Sequence, residues 1–383
     1  MMARRMAFVG LVFLSLAACA PSGARTGTTA TDAPPAPVTA TPWPTPPIRR
    51  PIYIVDPNDQ GPVSRILVVD PDQLRIAFTL TTRYLPEIAL SADGRRLYVA
   101  DSYRTQVIRG ETQDVLSVYD ALSGELLLDD TPIQGRLLYK GLPLGEPFLF
   151  LSDNGRQLYV MKYGDPDTHQ TRLTVLDPAT LQTVREGDWP PCGDRIRVQA
   201  DRWLCANGAA LDVVDPSSRA VVETLLKVPS GQTVAWLITA DGERLYVLYA
   251  DATLAVANLQ DRKIVTARRL EVNEHWLPVW DGATLSPDGR RLYVGFDTGE
   301  GESAVFSDAI AVYDTATWAN IATIKLGDTM WHFALSAEGD QLYAVSPAAH
   351  DLRIYDTTTF QEVATLPNLG GTPARIVVPR ERH

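Results

Sequence analysis

The stretch Leu285–Asp297 reads LSPDGRRLYVGFD, and the chain writes it again, altered, four more times. The copies are LSADGRRLYVADS from Leu90, LSDNGRQLYVMKY from Leu151, ITADGERLYVLYA from Ile238 and LSAEGDQLYAVSP from Leu335. A period of this kind commits a chain to a repeating architecture before anything else is known about it. In each copy an apolar run is followed by a Pro/Asp/Gly turn and then by a segment such as RLYV. Gly at the end of the turn accepts the left-handed backbone a tight hairpin needs, and Asp and Pro suit the positions before it. LYV has the aromatic and β-branched content of a strand.

Each hairpin is followed by a third strand signal that ends in Asp, as in ILVVDPDQ, LSVYDALSGE, LTVLDPATLQ, LDVVDPSSRA, IAVYDTATWA and LRIYDTTTFQ. The copy LAVANLQDRK lacks that Asp. A fourth apolar segment (RIAFTL, AVVETLL, NIATIKL) completes a four-stranded antiparallel unit. The repeated Asp residues (Asp70, Asp120, Asp177, Asp215, Asp314, Asp356) precede Pro, Thr or another turn former, so they are expected to bond turn N–H groups rather than to act as acids.

The second strands align at Tyr53, Tyr98, Tyr159, Leu204, Tyr246, Tyr293 and Tyr343, most of them 42 to 50 residues apart. The Tyr98–Tyr159 step is longer and predicts an insertion near RTQVIRGETQ or GRLLYKGLPLG. The unit around Leu204, RIRVQADRWLCANG, shortens its turn and loses the Gly. The chain enters at PIYIVDP, a second strand with no first, and leaves at PARIVVPRE, a first strand with no second. The expected fold is therefore all-β: a seven-bladed β-propeller of four-stranded antiparallel blades over residues 50–383. One blade is shared by the two ends of the repeat region. A lone four-stranded sheet would expose its edges and an apolar face, and a ring covers both.

The SPDGRRLYVGF core resembles the SPDGxxLYVxN core of the YVTN-type β-propeller repeat family, and the resemblance covers nearly all of residues 50–383. It implies the same fold. It leaves function open, because that family includes surface-layer and cell-surface proteins, nucleic-acid-associated periplasmic proteins, and relatives of amine dehydrogenase subunits and of lactonases.

Ahead of the repeats, Arg4 and Arg5 precede the apolar stretch MAFVGLVFLSLAA, too short for a comfortable membrane span. The run Leu16–Cys19, LAAC, resembles the bacterial lipobox. This implies a signal peptide over residues 1–18, general secretory export and a lipid on Cys19. Residues 19–49 are rich in Pro, Thr and Ala, cannot bury enough apolar area to order, and read as a semi-stiff tether. The expected site is the outer face of the cell membrane or the outer membrane. A net charge of −11 argues against nucleic acid as a partner. A monomer is expected. Cys192, just before an inner strand, and Cys205, late in the strand antiparallel to it, meet at one edge of a hairpin and suit a disulfide in an exported chain.

The innermost strands begin near the channel mouth. Aligned copies place Glu87, Phe148, Arg195, Ala235, Gly282, His332 and Ala374 at one equivalent position there, with Tyr84, His275, Trp276, Trp280, Asp281, Met330 and Trp331 nearby. The candidate ligand rim is Tyr84, Glu87, Phe148, Arg195, His275, Trp276, Trp280, Asp281, Trp331 and His332. Aromatic rings with convergent polar groups suit a small molecule, glycan or peptide. The competing assignment makes these rings inter-blade core. No metal site or cofactor is expected: His275 and His332 lack a third ligand, and the acidic loop with Asp297, Glu300 and Glu302 could hold calcium or simply be solvated. No CxxC, GxSxG, HExxH, CxxCH or phosphate-loop motif is present, and no catalytic residue is assigned. A tethered binding or scaffold module is the leading expectation. A metal-dependent, lactonase-like hydrolase or lyase at the channel mouth is the alternative, and an electron-transfer dehydrogenase subunit a third.

Overall fold

The computed structural model describes residues 48–379 apart from 58–62, 105–111, 138–147, 153, 166–169, 189–191, 193, 199–201, 208, 216 and 300–306. The signal peptide, Cys19, the tether and Trp43 lie outside the described residues, as do Glu300 and Glu302. For Arg195 only the backbone is described.

Seven antiparallel sheets form the blades of a β-propeller, and no helix occurs among the described residues. In chain order, blade 1 is residues 52–82 with 375–377, and blades 2 to 7 are 84–133, 149–188, 194–227, 233–269, 277–330 and 332–366. The closing strand Arg375–Val377 lies antiparallel to Ile52–Asp56, with Tyr53 opposite Val377 and Val55 opposite Arg375. Head and tail of the repeat region thus build one sheet, as their strand patterns require. Within the longer Tyr98–Tyr159 step a short extra strand, Arg136–Leu137, pairs with Lys162 and Tyr163 beside blade 3, while most of RTQVIRGETQ and GRLLYKGLPLG lies outside the described residues.

The second strands are apolar on both faces, and the ring shows why. Tyr53 and Val55 join a buried cluster with Ile88, Leu97 and Val99 of blade 2, while Ile52 and Ile54 join one with Tyr343, Val345 and Leu352 of blade 7. Alternate side chains of a strand point to opposite faces, so each blade feeds two seams. Further clusters cover the seams between blades 2, 3 and 4, blades 4 and 5, blades 5 and 6, and blades 6 and 7. Each fully buried Leu, Ile or Val is worth about 1.5–3 kcal/mol relative to exposure. A single sheet could bury only one face.

The turns are locked by side chains. In the first hairpin of blade 2, the Gly94 N–H donates to the Ser91 carbonyl at 2.9 Å, and the Arg96 N–H to Ser91 Oγ at 2.8 Å. Gly94 sits at φ +68°. In the turn between the third and fourth strands, Asp314 Oδ1 accepts the Ala316 and Thr317 N–H groups and the Thr317 hydroxyl. Asp120, Asp177 and Asp356 do the same, and Asp215 does so through Ser217 and Ser218. These bonds hold the Asp215 carboxyl down at about 2. In the copy without Asp, Asn258 takes the place and accepts the Asp261 N–H at 2.7 Å.

Each outermost strand then carries a β-bulge near its start. The residue left unpaired is Leu127, Val184, Val222, Val265, Ile321 or Val363 in blades 2 to 7. These residues are among the exposed large apolar side chains. A bulge spoils the regular edge that another strand would need for pairing. The exposed aliphatics on the cylinder wall are therefore explained by edge protection.

Candidate functional site

The residue two places after each anchor tyrosine faces the start of the innermost strand. Ala100 lies opposite Glu87, Leu248 opposite Ala235 and Val345 opposite His332. The Phe148 carbonyl accepts the Met161 N–H at 2.7 Å, which puts Phe148 in the same place. In blade 1 the position belongs to Arg375, opposite Val55; Ala374 is buried one residue earlier. In blade 4 a register shift between Arg195 and Arg197 leaves Arg195 opposite Cys205 and puts Asp194 opposite Ala206, so the alignment is off by one there too.

Arg375, which sequence alignment passes over, is the centre of the channel wall. Its guanidinium forms an ion pair with the Glu87 carboxylate of blade 2, the two side chains being 22% and 13% exposed. On its other side, the Ile376 N–H donates to His332 Nδ1 of blade 7 at 3.4 Å. With Nδ1 accepting, the neutral ring carries its proton on Nε2. Burial, and then the nearby Arg375 charge, lower the His332 pKa to about 3. His332 is thus a neutral hydrogen-bonding group at any ordinary pH, and its Nδ1 lone pair is already engaged.

The other rim residues separate into two sets. Tyr84 and Trp280 are 45% and 47% exposed, and Leu277 joins them at 52%. A backbone excursion in the innermost strand carries Trp280 outward, and Tyr84 and Leu277 lie beside such excursions. Pairing is interrupted between Tyr84 and Glu87 and between Pro278 and Ala283, with Leu85 at φ +49° and Asp281 at φ +53°. Non-glycine residues in this conformation carry strain that the surroundings must support. Gly282 is required for the second excursion, since a Cβ there would lie 2.1 Å from the Val279 methyl. His275 is exposed beside Glu274, with Nε2 3.5 Å from the carboxylate. Trp276, by contrast, packs into the core of blades 5 and 6, its ring 5.9 Å from that of Phe296. Phe148 is buried, and Trp331 is half-buried with its N–H on the Val345 carbonyl. No three His, Cys, Asp or Glu side chains converge as metal ligands among the described residues. Asp297 accepts the Gly299 N–H at 2.8 Å.

What keeps this mouth in place is a set of grips on the segments that enter each blade. In six blades the gripping residue is the third after the anchor tyrosine; in blade 4 it is Cys205, the first after Leu204. Asp56 accepts the Thr372 N–H at 2.7 Å and Asp101 the Arg83 N–H at 2.8 Å. Lys162 donates to the Gln134 carbonyl, the Tyr249 hydroxyl to the Pro229 carbonyl at 2.8 Å, and Ser346 Oγ to Asp328 at 3.3 Å. Phe296 holds Trp276 by ring packing. In blade 4 the grip is covalent: Cys192 of the entering segment forms a disulfide with Cys205, with Cα atoms 5.1 Å apart.

The chain enters the ring on the opposite face. Arg50 pairs with Asp72 at 2.7 Å and with Asp340 at 2.8 Å. Both acids lie in turns at the far ends of their strands from the channel mouth, because antiparallel neighbours alternate direction.

Comparison with known proteins agrees with this architecture. A family model described as methylamine dehydrogenase heavy chain (MADH) matches residues 48–164. The methylamine dehydrogenase heavy chain of Methylorubrum extorquens is 22% identical over 340 residues, covering 85% of this chain and 81% of that one. That of Paracoccus versutus is 23% identical over 349 residues, covering 86% and 79%. Among solved structures, a periplasmic gluconolactonase of Pseudomonas aeruginosa superposes with a TM-score of 0.58 at 16% identity, covering 86% of this chain and 98% of the other. A dihydro-heme d1 dehydrogenase also superposes with a TM-score of 0.58 at 16% identity, covering 88% and 77%. These structural likenesses are likenesses of fold.

Proposed function

We propose that this chain is an exported, lipid-tethered propeller that binds a partner or ligand at its channel mouth, as a binding or scaffold module. The observation that carries this reading is the exposure of Trp280 within a strained excursion of its pinned strand and of Tyr84 and Leu277 beside such excursions. Large apolar groups left about half exposed to water suit recognition. The polar groups of the wall are engaged with one another, and a His332 with its pKa lowered to about 3 is a poor general base near neutrality. The curated relatives are each named as the heavy chain of a dehydrogenase, which supports a role as one chain of an assembly. Export is supported by the LAAC run at residues 16–19 and by the likeness to a gluconolactonase named as periplasmic.

The test places a photo-crosslinking residue at position 280 in the envelope-borne protein, with position 265 on the outer wall as control. A discrete adduct at 280 and none at 265 is expected. The same adducts at both positions would overturn the assignment of the mouth. A second reading, a lactonase-like hydrolase, is favoured by the gluconolactonase likeness and by Glu87, Asp281 and His332 lying near the mouth. Stoichiometric divalent metal in the purified protein, together with lactone hydrolysis lost in Glu87→Gln, would establish it over the binding reading.

A further inference from the structure

We infer that the Cys192–Cys205 disulfide is a redox-cleavable strap, whose reduction frees the blade 4 sector of the channel mouth while the rest of the ring stays closed. Each blade's entering segment is tied to its second strand, six of them at the third residue after the anchor and blade 4 at the first. Six entering segments are held by a hydrogen bond or a ring contact from Asp56, Asp101, Lys162, Tyr249, Phe296 or Ser346. None of those contacts involves sulfur, so a thiol reagent leaves them intact. The seventh segment is held at Cys192, two residues before the innermost strand Asp194–Val198.

The first hairpin of that blade also differs in sequence from its counterparts. The hairpins of blades 2, 3, 5, 6 and 7 are closed by a Ser or Thr bonded to a Gly N–H three residues on. The corresponding turn of blade 4 reads QADR and contains no Gly. Its pairing with Trp203–Asn207 shifts register between Arg195 and Arg197, as the innermost pairings of blades 2, 5 and 6 also do near their starts. The disulfide therefore pins a hairpin whose turn sequence departs from that of the other blades. The mouth faces the same compartment as the exported chain, where thiol–disulfide chemistry is available.

Cleavage follows ordinary exchange. One thiolate of a dithiol reductant attacks the half-buried Cys192 sulfur, and the S–S bond breaks with Cys205 leaving as thiolate. The second thiol of the reductant then displaces Cys192 and closes its own cyclic disulfide. Two electrons and two protons pass from reductant to protein, leaving two thiols. Attack at Cys205 is disfavoured because that residue is fully buried.

Hydrogen–deuterium exchange on the full-length protein, with and without dithiothreitol, tests this. Reduction, verified by alkylation of Cys192 and Cys205, is expected to speed exchange at residues 194–207 by roughly tenfold or more, as local openings become populated. Residues 83–88 and 372–377 should not change. Trypsin should cut faster at Arg195, Arg197 or Arg202 in the reduced protein. The Cys192→Ala/Cys205→Ala variant should show the same pattern without reductant; should it fail to fold, the reduced wild-type protein decides alone. Unchanged exchange at 194–207 after full reduction would sink the proposal, and so would loosening of all seven blades together.

Discussion

Arg375, in the last strand of the fold, pairs with Glu87, 288 residues earlier in the chain. The contact crosses the seam between blade 1, assembled from both ends of the repeat region, and blade 2, which is continuous. His332 supports the same three-residue strand from blade 7. The residues with the most chemical character in the channel are thus also the ones that hold the ring closed.

Removing one member of the pair should therefore cost more than removing both. Arg375→Met and Glu87→Gln are each expected to lower stability by about 1–3 kcal/mol, less than for a fully buried pair because both groups retain some exposure. The double variant should lose less than the sum. Urea unfolding of the four proteins checks this, and strict additivity would show that the contact contributes nothing.

His332 makes a prediction about pH. Its folded pKa of about 3 lies below that of the unfolded chain, near 6.5, so between those values the unfolded state binds the extra proton. Its contribution to stability is complete above the unfolded value and is lost as pH falls toward 3. His332→Gln, which can still accept the Ile376 N–H, should show a shallower decline over this range. Equal slopes in parallel pH titrations of the melting temperature would contradict the assignment.

Gly371 lies at φ +54°, where an added Cβ would come within 2.0 Å of the Asp56 carboxylate. Gly371→Ala should destabilise the closing segment by about 1–3 kcal/mol, combining strain with loss of the Asp56 grip. The expected signature is faster amide exchange at residues 372–377.

Truncation after Leu366 removes the strand that pairs with Ile52–Asp56. The shortened protein should lose its cooperative melt, since blades 1, 2 and 7 would each lose cover. A thermal transition like that of the full chain would mean that closure by the terminal strand is dispensable.

Cys19→Ala should shift the protein from the detergent fraction to the soluble exported fraction. Retention on membranes would count against a lipid at this position and leave the tether without an anchor.

The number of blades, their order and the shared blade could be read from residue spacing, because most blades use the same tyrosine to plug a seam and the same Asp and Gly to close their turns, and Leu204 and Asn258 stand in where they do not. The aromatic rim was legible only as a list. Whether a ring is core, as with Trp276, or held in solvent, as with Trp280, depends on local register, and one bulged residue reverses it. Arg375 was missed because the closing strand has no anchor tyrosine of its own from which to count. The grips on the entering segments were invisible for a deeper reason. An Asp, a Lys, a Tyr, a Phe, a Ser and a disulfide do the same job, so repetition in space leaves no repetition in residue type. Chain geometry demanded that each segment be held, and only the folded ring decided by which chemistry.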